Sequence, residues 1–531
     1  MPVSDYTYNS RASYAYVLCT TSSAVNAIAA TALPVFDSDH ADVVFTNNTS
    51  DDITYTAAAG TFTFAKAGTY HVVLTLVTSQ ETSDRYQTTT FELNSDGVIY
   101  TASPWADFAM DPTETTHQRI ITVAADDVLN IDTSTLGHTM GIVKGTSVVI
   151  TEITSGVYAS STVTTAGTSN ITGAFNPFDT DLAGGPAFAA AGLIASGVTF
   201  AGAAGSMTVP SAGKYLIMIN HIFAAGAFTN ANVTMLLKEG SNTLLSNIVK
   251  MHTAADPIEH TMCVIEDLAA ADVLTVSYNI GSGRVHAELG ATFTVIKLQE
   301  GGPATGTGRT TGDYGAIGIY GSTYASVVSD QLSTAGDEDV NPFDEANLTG
   351  DATFSTRASS GITFTPSAGT FTVNEPGLYF IMHNPIIVAG GDVVITTKIL
   401  VNGVIVTSSD TVLVHALPDP LNLTNTAFVE LQRNDVVTVF TGANTAVNIA
   451  HSAGSHITMF RYFGFFRTQE ALASGLIGDD LTINTFSQGN LSVQYDRNID
   501  QLPFKFGIRG AGTLRGRGTE PSVVKLGDKK V

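Results

Sequence analysis

Three times along the chain two glycines stand eight residues apart and a tyrosine follows two residues later: Gly60, Gly68 and Tyr70, then Gly205, Gly213 and Tyr215, then Gly369, Gly377 and Tyr379. Further anchors keep register with these tyrosines. Asp127-Val128, Asp272-Val273 and Asp435-Val436 follow by 57, 57 and 56 residues, counted to the Asp. Pro34-Val-Phe36-Asp37, Pro177-Phe178-Asp179 and Pro342-Phe343-Asp344 precede by 33, 36 and 35, also counted from the Asp. A Tyr-Ala pair opens each unit at Tyr14, Tyr158 and Tyr324. A period near 150 residues is far longer than that of solenoid repeats, so whole domains are duplicated. In a chain of 531 residues that arithmetic accommodates three domains and a terminal extension.

The repeated segments are short, rich in Thr, Val and Ala, and punctuated by Gly and Asp, which is the pattern of strands and turns. From Tyr70 the alternation of Tyr70, Val72, Leu74 and Leu76 places four apolar residues on one face of a half-buried strand. The second glycine of each pair is expected to supply a turn backbone closed to other residues, and the Asp-Val pairs are expected to mark tight acidic hairpin turns. Apolar strands at 148–153, 293–298 and 457–463 close the units. The fold class is all-β, with helix content below roughly a tenth.

The order of Tyr-Ala strand, Phe-Asp loop, Gly-x-Tyr strand, Asn-bearing turn (Asn94, and Asn402-Gly403), Asp-Val turn and final apolar strand resembles the C1q and tumour-necrosis-factor-like jelly roll over about 14–153, 157–298 and 323–463. The second unit departs from it, with Lys238-Glu-Gly240 where the others carry Asn, and no collagen-like stalk precedes any unit. The resemblance implies three tandem antiparallel jelly-roll sandwiches at 1–153, 154–300 and 301–467, with 301–322 as a Gly-rich linker, followed by an attachment arm at 468–531. It also implies threefold packing, either as a homotrimer or, since three copies already share one chain, as an intrachain pseudo-trimer.

With 24 Lys and Arg against 48 Asp and Glu, the net charge of -24 argues against wrapping nucleic acid or coating an anionic membrane. Neither is expected as a partner. Cys19 and Cys263 are too few for a disulfide framework or a metal cluster. The N-terminal residues have no basic segment followed by an apolar one, and no 18 apolar residues run together, so neither a secretory signal nor a membrane helix is expected.

No catalytic constellation stands out, and the chain is expected not to be an enzyme and to use no cofactor. His286-Ala-Glu288 lacks the Cys pair that would complete a zinc site, and His138, His286 and His451, in comparable places before the closing strands, read as loop histidines more readily than as a triad. The acidic clusters containing Asp37, Asp39 and Asp42, Asp179 and Asp181, and Asp344 carry carboxylates that a Ca²⁺ ion could use, although none has the spacing of a known calcium loop and solvated turns are the default reading. Trp105, the only tryptophan, reads as local loop core before it reads as a ligand anchor.

The C-terminus differs from the body. Residues 497–531 carry eight basic and three acidic residues, a net +5 on a body of -29. Their Arg-Gly run at 507–518 has no core-forming period, so the arm is expected to be ordered by a partner. Phe504, Lys505, Phe506, Arg509, Arg515 and Arg517 are the expected contacts, apolar anchors beside cations. Taken together, these features lead us to expect a structural protein of the virion surface that contacts other virion or capsid proteins through the arm. A secreted or cell-surface C1q-like lectin or adhesin is the alternative.

Overall fold

The computed structural model describes residues 6–8, 13–22, 33–39, 43–80, 85–94, 96–102, 105–106, 113–135, 140–167, 171–181, 186–187, 193–225, 231–251, 258–298, 320–325, 329–332, 339–345, 354–389, 393–413, 420–443, 448–467, 501–502 and 504–505. Ser10–Phe463 forms one compact unit, and Met1–Asn9 with Gly464–Val531 forms a second. Within the second unit Tyr6–Tyr8 runs antiparallel to residues 465–467, and Gln501–Leu502 pairs with Phe504–Lys505.

The chain is nearly all β, with antiparallel sheets arranged as multiple jelly-roll sandwiches. In roll 1 one sheet runs in the order Thr113–Val123, Gly68–Gln80, Ser147–Glu152, Tyr14–Thr21, Val44–Thr49. The facing sheet is built on Arg85–Leu93, Val128–Thr135, Thr61–Phe64 and Ile53–Thr56. Rolls 2 and 3 repeat this order. Gly213–Ala225 lies between Thr292–Lys297 and Ile258–Leu268, and Gly377–Asn384 lies between His456–Arg467 and Asn425–Leu431. In roll 2 the two sheets join at one corner, where Phe223 pairs with Ala287.

The anchors explain why each roll forms. Tyr70, Tyr215 and Tyr379 are fully buried, and each hydroxyl donates to the carbonyl four residues back, on Lys66, Ser211 and Glu375, at 3.2, 2.7 and 2.7 Å. A buried phenol needs such an acceptor, which accounts for Tyr here in place of Phe. The Phe-Asp loops dock on one-turn 3₁₀ segments at Ala57–Ala59, Gly202–Ala204 and Pro366–Ala368. Ser38, Thr180 and Glu345 N–H groups donate to the carbonyls of Ala57, Gly202 and Pro366.

Three expectations need correction. The glycines with turn-type left-handed backbone are the first of each pair, Gly60, Gly205 and Gly369, with φ of 65°, 55° and 59°, and of the second glycines Gly213 alone, with φ of 151°, has a backbone that other residues rarely adopt. They end the 3₁₀ turns, and a Cβ on Gly60 or Gly205 would press into the backbone of the Phe-Asp loop. Gly68 and Gly377 are not left-handed, and at Gly68 the missing side chain makes room for the ring of Tyr70. Second, the Asp-Val turns are not hairpins. Thr113–Val123 pairs with Gly68–Gln80, whereas Val128–Thr135 pairs with Arg85–Leu93, so the turn carries the chain from one sheet to the other. The Asp127, Asp272 and Asp435 carboxylates close these turns by accepting the N–H three residues earlier, at 2.7, 2.6 and 2.6 Å. Third, Tyr14, Tyr158 and Tyr320 stand opposite Thr151, Ile296 and Phe460, each of which lies 81 residues after the anchor tyrosine. The opening residue of the third roll is therefore Tyr320. Tyr324 lies further along that strand, opposite His456.

Among the described residues no helix is long and apolar enough to cross a membrane.

Candidate functional site

The edge strand of each roll, Thr113–Val123, Ile258–Leu268 or Asn425–Leu431, hydrogen-bonds within its own sheet along one side only. A buried strand edge must find partners for its free backbone groups, and here they come from the next roll around a ring. The Thr116 N–H of roll 1 donates to Glu259 Oε2 of roll 2 at 2.8 Å. Thr261 N–H of roll 2 donates to Asn422 Oδ1 of roll 3 at 3.0 Å, and Thr424 N–H of roll 3 donates to Glu114 Oε1 of roll 1 at 2.7 Å. These are equivalent positions. Glu114 and Glu259 lie 44 residues after their tyrosines and Asn422 lies 43 after its own. The three rolls are thus tied to one another inside one chain.

The electrostatics of the ring follow from its burial. Glu114 Oε2, Glu259 Oε1 and Asn422 Nδ2, the atoms left over after the ring bonds, are shut off from solvent. Desolvation pushes the Glu114 carboxyl up to about 8, with the Thr424 N–H opposing. Desolvation also raises Glu259 well above the usual carboxylate range, and the Glu114 charge adds to the rise. Asn422 keeps a third acid out of a place where two already disfavour ionisation.

A second set of equivalent contacts surrounds the ring. Gly145, Gly290 and Gly454, each 75 residues after its tyrosine, have φ of 100°, 92° and 97°. Each abuts a strand of the neighbouring roll. A Cβ on Gly145 would lie 2.8 Å from that of Ser409, one on Gly290 would overlap Ala102, and one on Gly454 would overlap Asn247 and the Ser246 carbonyl. Only glycine satisfies both the backbone and the approach.

The seams between rolls differ in chemistry. Between rolls 1 and 2, Gln118 Nε2 donates to the Met218 carbonyl at 2.8 Å and Tyr100 donates to the Gly290 carbonyl at 3.1 Å, while one apolar core cluster spans both rolls. Between rolls 3 and 1, the Tyr14, Phe428 and Tyr462 rings pack together, with centroids 5.5 to 6.5 Å apart, and Tyr462 donates to the Ser13 and Glu152 carbonyls. Between rolls 2 and 3, the Cys263 N–H donates to His456 Nε2 at 3.2 Å and Thr458 donates to the Cys263 carbonyl at 2.8 Å.

The residues singled out in the sequence fall elsewhere. Asp37 Oδ1 and Asp179 Oδ1 each accept the N–H two residues on, from Asp39 and Asp181, at 2.8 Å, so two of the acidic clusters work as turn braces on separate rolls. Asp344 sits in the matching loop of roll 3, where Asn341 Oδ1 accepts from the Phe343 N–H. Asp42 lies outside the described residues. Among the described residues no group of three or more His, Cys, Asp or Glu is disposed to hold a metal ion. His286 Nε2 lies 2.8 Å from Glu288 Oε2 and His451 is buried in its own roll, while His138 lies outside the described residues. Trp105 stands opposite Tyr86 in a two-residue strand. Phe504 and Lys505 stand opposite Leu502 and Gln501 in an antiparallel pair, and Phe506, Arg509, Arg515 and Arg517 lie outside the described residues. Cys19 and Cys263 are buried free thiols, pushed up to about 11 and about 12 by desolvation.

The ring residues and interface glycines escaped the sequence reading, although their constant spacing from the tyrosines was available as a signal.

No family model and no curated protein matches the chain. Among solved structures, the chain is similar to a TNF, Eiger, from S. frugiperda, at 15% identity over 28% of this chain and 98% of that one, with a TM-score of 0.20. It is similar to PNGF-II at 9% identity over 75% and 99%, with a TM-score of 0.24. It is also similar to a protein of triple jelly-roll fold from an archaeal virus, at 10% identity over 84% and 91%, with a TM-score of 0.16. The strand order, rather than these scores, identifies the fold.

Proposed function

We propose that the chain is a structural component of a virus particle. Its three-roll body is displayed on the particle surface as a decoration, knob or short fibre, with or without an adhesive role at a host surface. Its C-terminal arm attaches it to other virion or capsid proteins. The observation that carries this reading is the closed ring of Thr116–Glu259, Thr261–Asn422 and Thr424–Glu114. Surfaces that separate jelly-roll subunits would use to trimerise are consumed within one chain, so the body needs no second copy to complete it. What it offers a partner is its outer faces and an arm of +5. The buried polar groups described above hold backbone N–H groups across seams, which is structural rather than catalytic work.

The test is attachment. Full-length chain is expected on purified particles by mass spectrometry and cryo-electron microscopy, and chain lacking residues 497–531 is expected to be absent from them while its melting temperature stays within about 1 °C. Truncated protein at full occupancy would overturn the assignment of the arm.

A secreted or cell-surface C1q-like binding module is the second reading. It is favoured by Val98, Val404 and Ile405, which are 51 to 67% exposed just past the turns of the corresponding hairpins Arg85–Ala102 and Val393–Leu413. Saturable binding of the arm-less chain to a glycan array would favour this reading over the virion one.

A further inference from the structure

Five histidines form a row that starts in the core of roll 2, crosses its seam with roll 3 and ends inside roll 3. His221 and His260 stand opposite each other on neighbouring strands, with ring centroids 6.4 Å apart. His260 Nε2 lies 2.8 Å from the amide nitrogen of Asn247, the side chain against which Gly454 of roll 3 packs. Across that contact His456 Nδ1 lies 2.7 Å from the Gly454 carbonyl, so Nδ1 carries the proton, and Nε2 accepts the Cys263 N–H of roll 2. His456 begins the strand that runs beside Gly377–Asn384, which carries His383, and His451 stands opposite Ile387 in the segment that follows that strand. All five side chains are 1% exposed or less.

Among the described residues, the groups in contact with the row are uncharged. The Tyr278 hydroxyl, 2.7 Å from His221 Nδ1, is neutral and held so by burial. The Cys263 thiol is likewise kept protonated, and the rings of Phe178 and Phe343 flank His221 and His383. Desolvation pushes all five imidazoles down, and neighbouring histidines add to the fall at His260 and His383. The adjacent acid, Glu259, turns to Thr116 of roll 1 from the other face of its strand. His221 Nε2, His260 Nδ1 and both nitrogens of His383 and His451 have no hydrogen-bond partner. A buried row of this kind tolerates only neutral rings, since each added proton is unsolvated and repels the next.

The other seams are built differently. His71 and His117, near the seam of rolls 1 and 2, have partners in Gln118 Oε1 and the Tyr100 hydroxyl, and the apolar cluster there is continuous. The seam of rolls 3 and 1 packs Tyr14, Phe428 and Tyr462, and roll 3 keeps core clusters of its own. We propose that the histidine row is an acid-operated latch: protons entering it part roll 3 from roll 2 and bare the free edge of Ile258–Leu268, while the seams of roll 1 stay shut.

The test is hydrogen exchange on the full chain at about pH 7.5 and about pH 4.5, corrected for the intrinsic pH dependence of exchange. Peptides covering Ile258–Leu268 and Asn448–His451 are expected to exchange about tenfold faster in acid, peptides from Thr113–Val123, where His71 and His117 have hydrogen-bond partners, are expected to change severalfold less, and the change is expected to reverse at neutral pH. In H383L/H451F, which removes two ionisable rings, the acid midpoint is expected to fall by about half a pH unit or more. Where that variant does not fold, the wild-type profile decides. Uniform acceleration over all three seams, no acceleration down to about pH 4, or an unmoved midpoint in the variant would each overturn the latch.

Discussion

The Thr424 N–H donates to Glu114 Oε1 at 2.7 Å, across 310 residues of sequence, and this bond closes the third jelly roll onto the first. With its two equivalents, it sets the edge strands Thr113–Val123, Ile258–Leu268 and Asn425–Leu431 each against a neighbour that the same chain supplies.

The carboxyl in that bond makes the ring sensitive to base. Glu114 is raised in the fold to about 8 from a usual value of 4.5. Its contribution to stability is therefore complete below about pH 4.5 and falls away as pH climbs through about 8. In Glu114→Gln the amide oxygen still accepts from Thr424 and there is no proton to lose. Melting curves should show the variant stabilised over wild type by a few kcal/mol at about pH 9 and nearly equal to it at about pH 5. Equal stability at both pH values would mean that the carboxyl is not buried.

The histidines give the opposite slope. His71 and His456 are lowered to about 4 and His117, His221 and His451 to about 3, chiefly by desolvation, from 6.5. Their contribution is complete above about pH 6.5 and is lost as pH falls toward 4 and 3. Thermal stability should decline on both the acid and the alkaline side of a maximum, and a curve still rising below about pH 4 would contradict the burial of these rings.

The interface glycines separate backbone strain from crowding. Gly97→Ala places a Cβ at φ 74° with nothing within 4 Å, so it costs about 1 kcal/mol of strain. Gly290→Ala combines φ 92° with overlap on Ala102 of the next roll and should cost about 1–3 kcal/mol more. Denaturant titration of the two variants measures the difference, and equal losses would mean that the rolls do not approach each other there.

Tyr215→Phe removes a 2.7 Å hydrogen bond to the Ser211 carbonyl and leaves the ring in place. A loss of about 1 kcal/mol is expected in the same titration, with no change in secondary structure by circular dichroism.

Much of the single roll was legible in the sequence, and little of the ring was. Tyr70, Tyr215 and Tyr379 announced core strands because period-two alternation and a preceding turn are local properties. The roles of the paired glycines were harder to read, since a sequence does not show which of Gly60 and Gly68 has a left-handed backbone. Tyr324 matched the Tyr-Ala pattern, yet strand register places Tyr320 opposite the closing strand. Glu114 and Glu259 carry no local signal that marks them out among the polar residues of Thr-rich strands. Their burial exists only once a second roll covers the strand edge, and the same holds for His260 and His456, which meet across a seam.

The closed ring itself is tested most directly by a cross-link between its first and last members. Thr75 Oγ1 of roll 1 and Thr426 Oγ1 of roll 3 lie 3.2 Å apart. When Thr75→Cys and Thr426→Cys are combined and the chain is oxidised at low concentration, a disulfide between these two positions should form within a single 55.5 kDa chain, found by peptide mapping and by non-reducing mass measurement. Disulfides that instead join separate chains, or cysteines that remain free under conditions that oxidise exposed thiols, would contradict an intrachain pseudo-trimer.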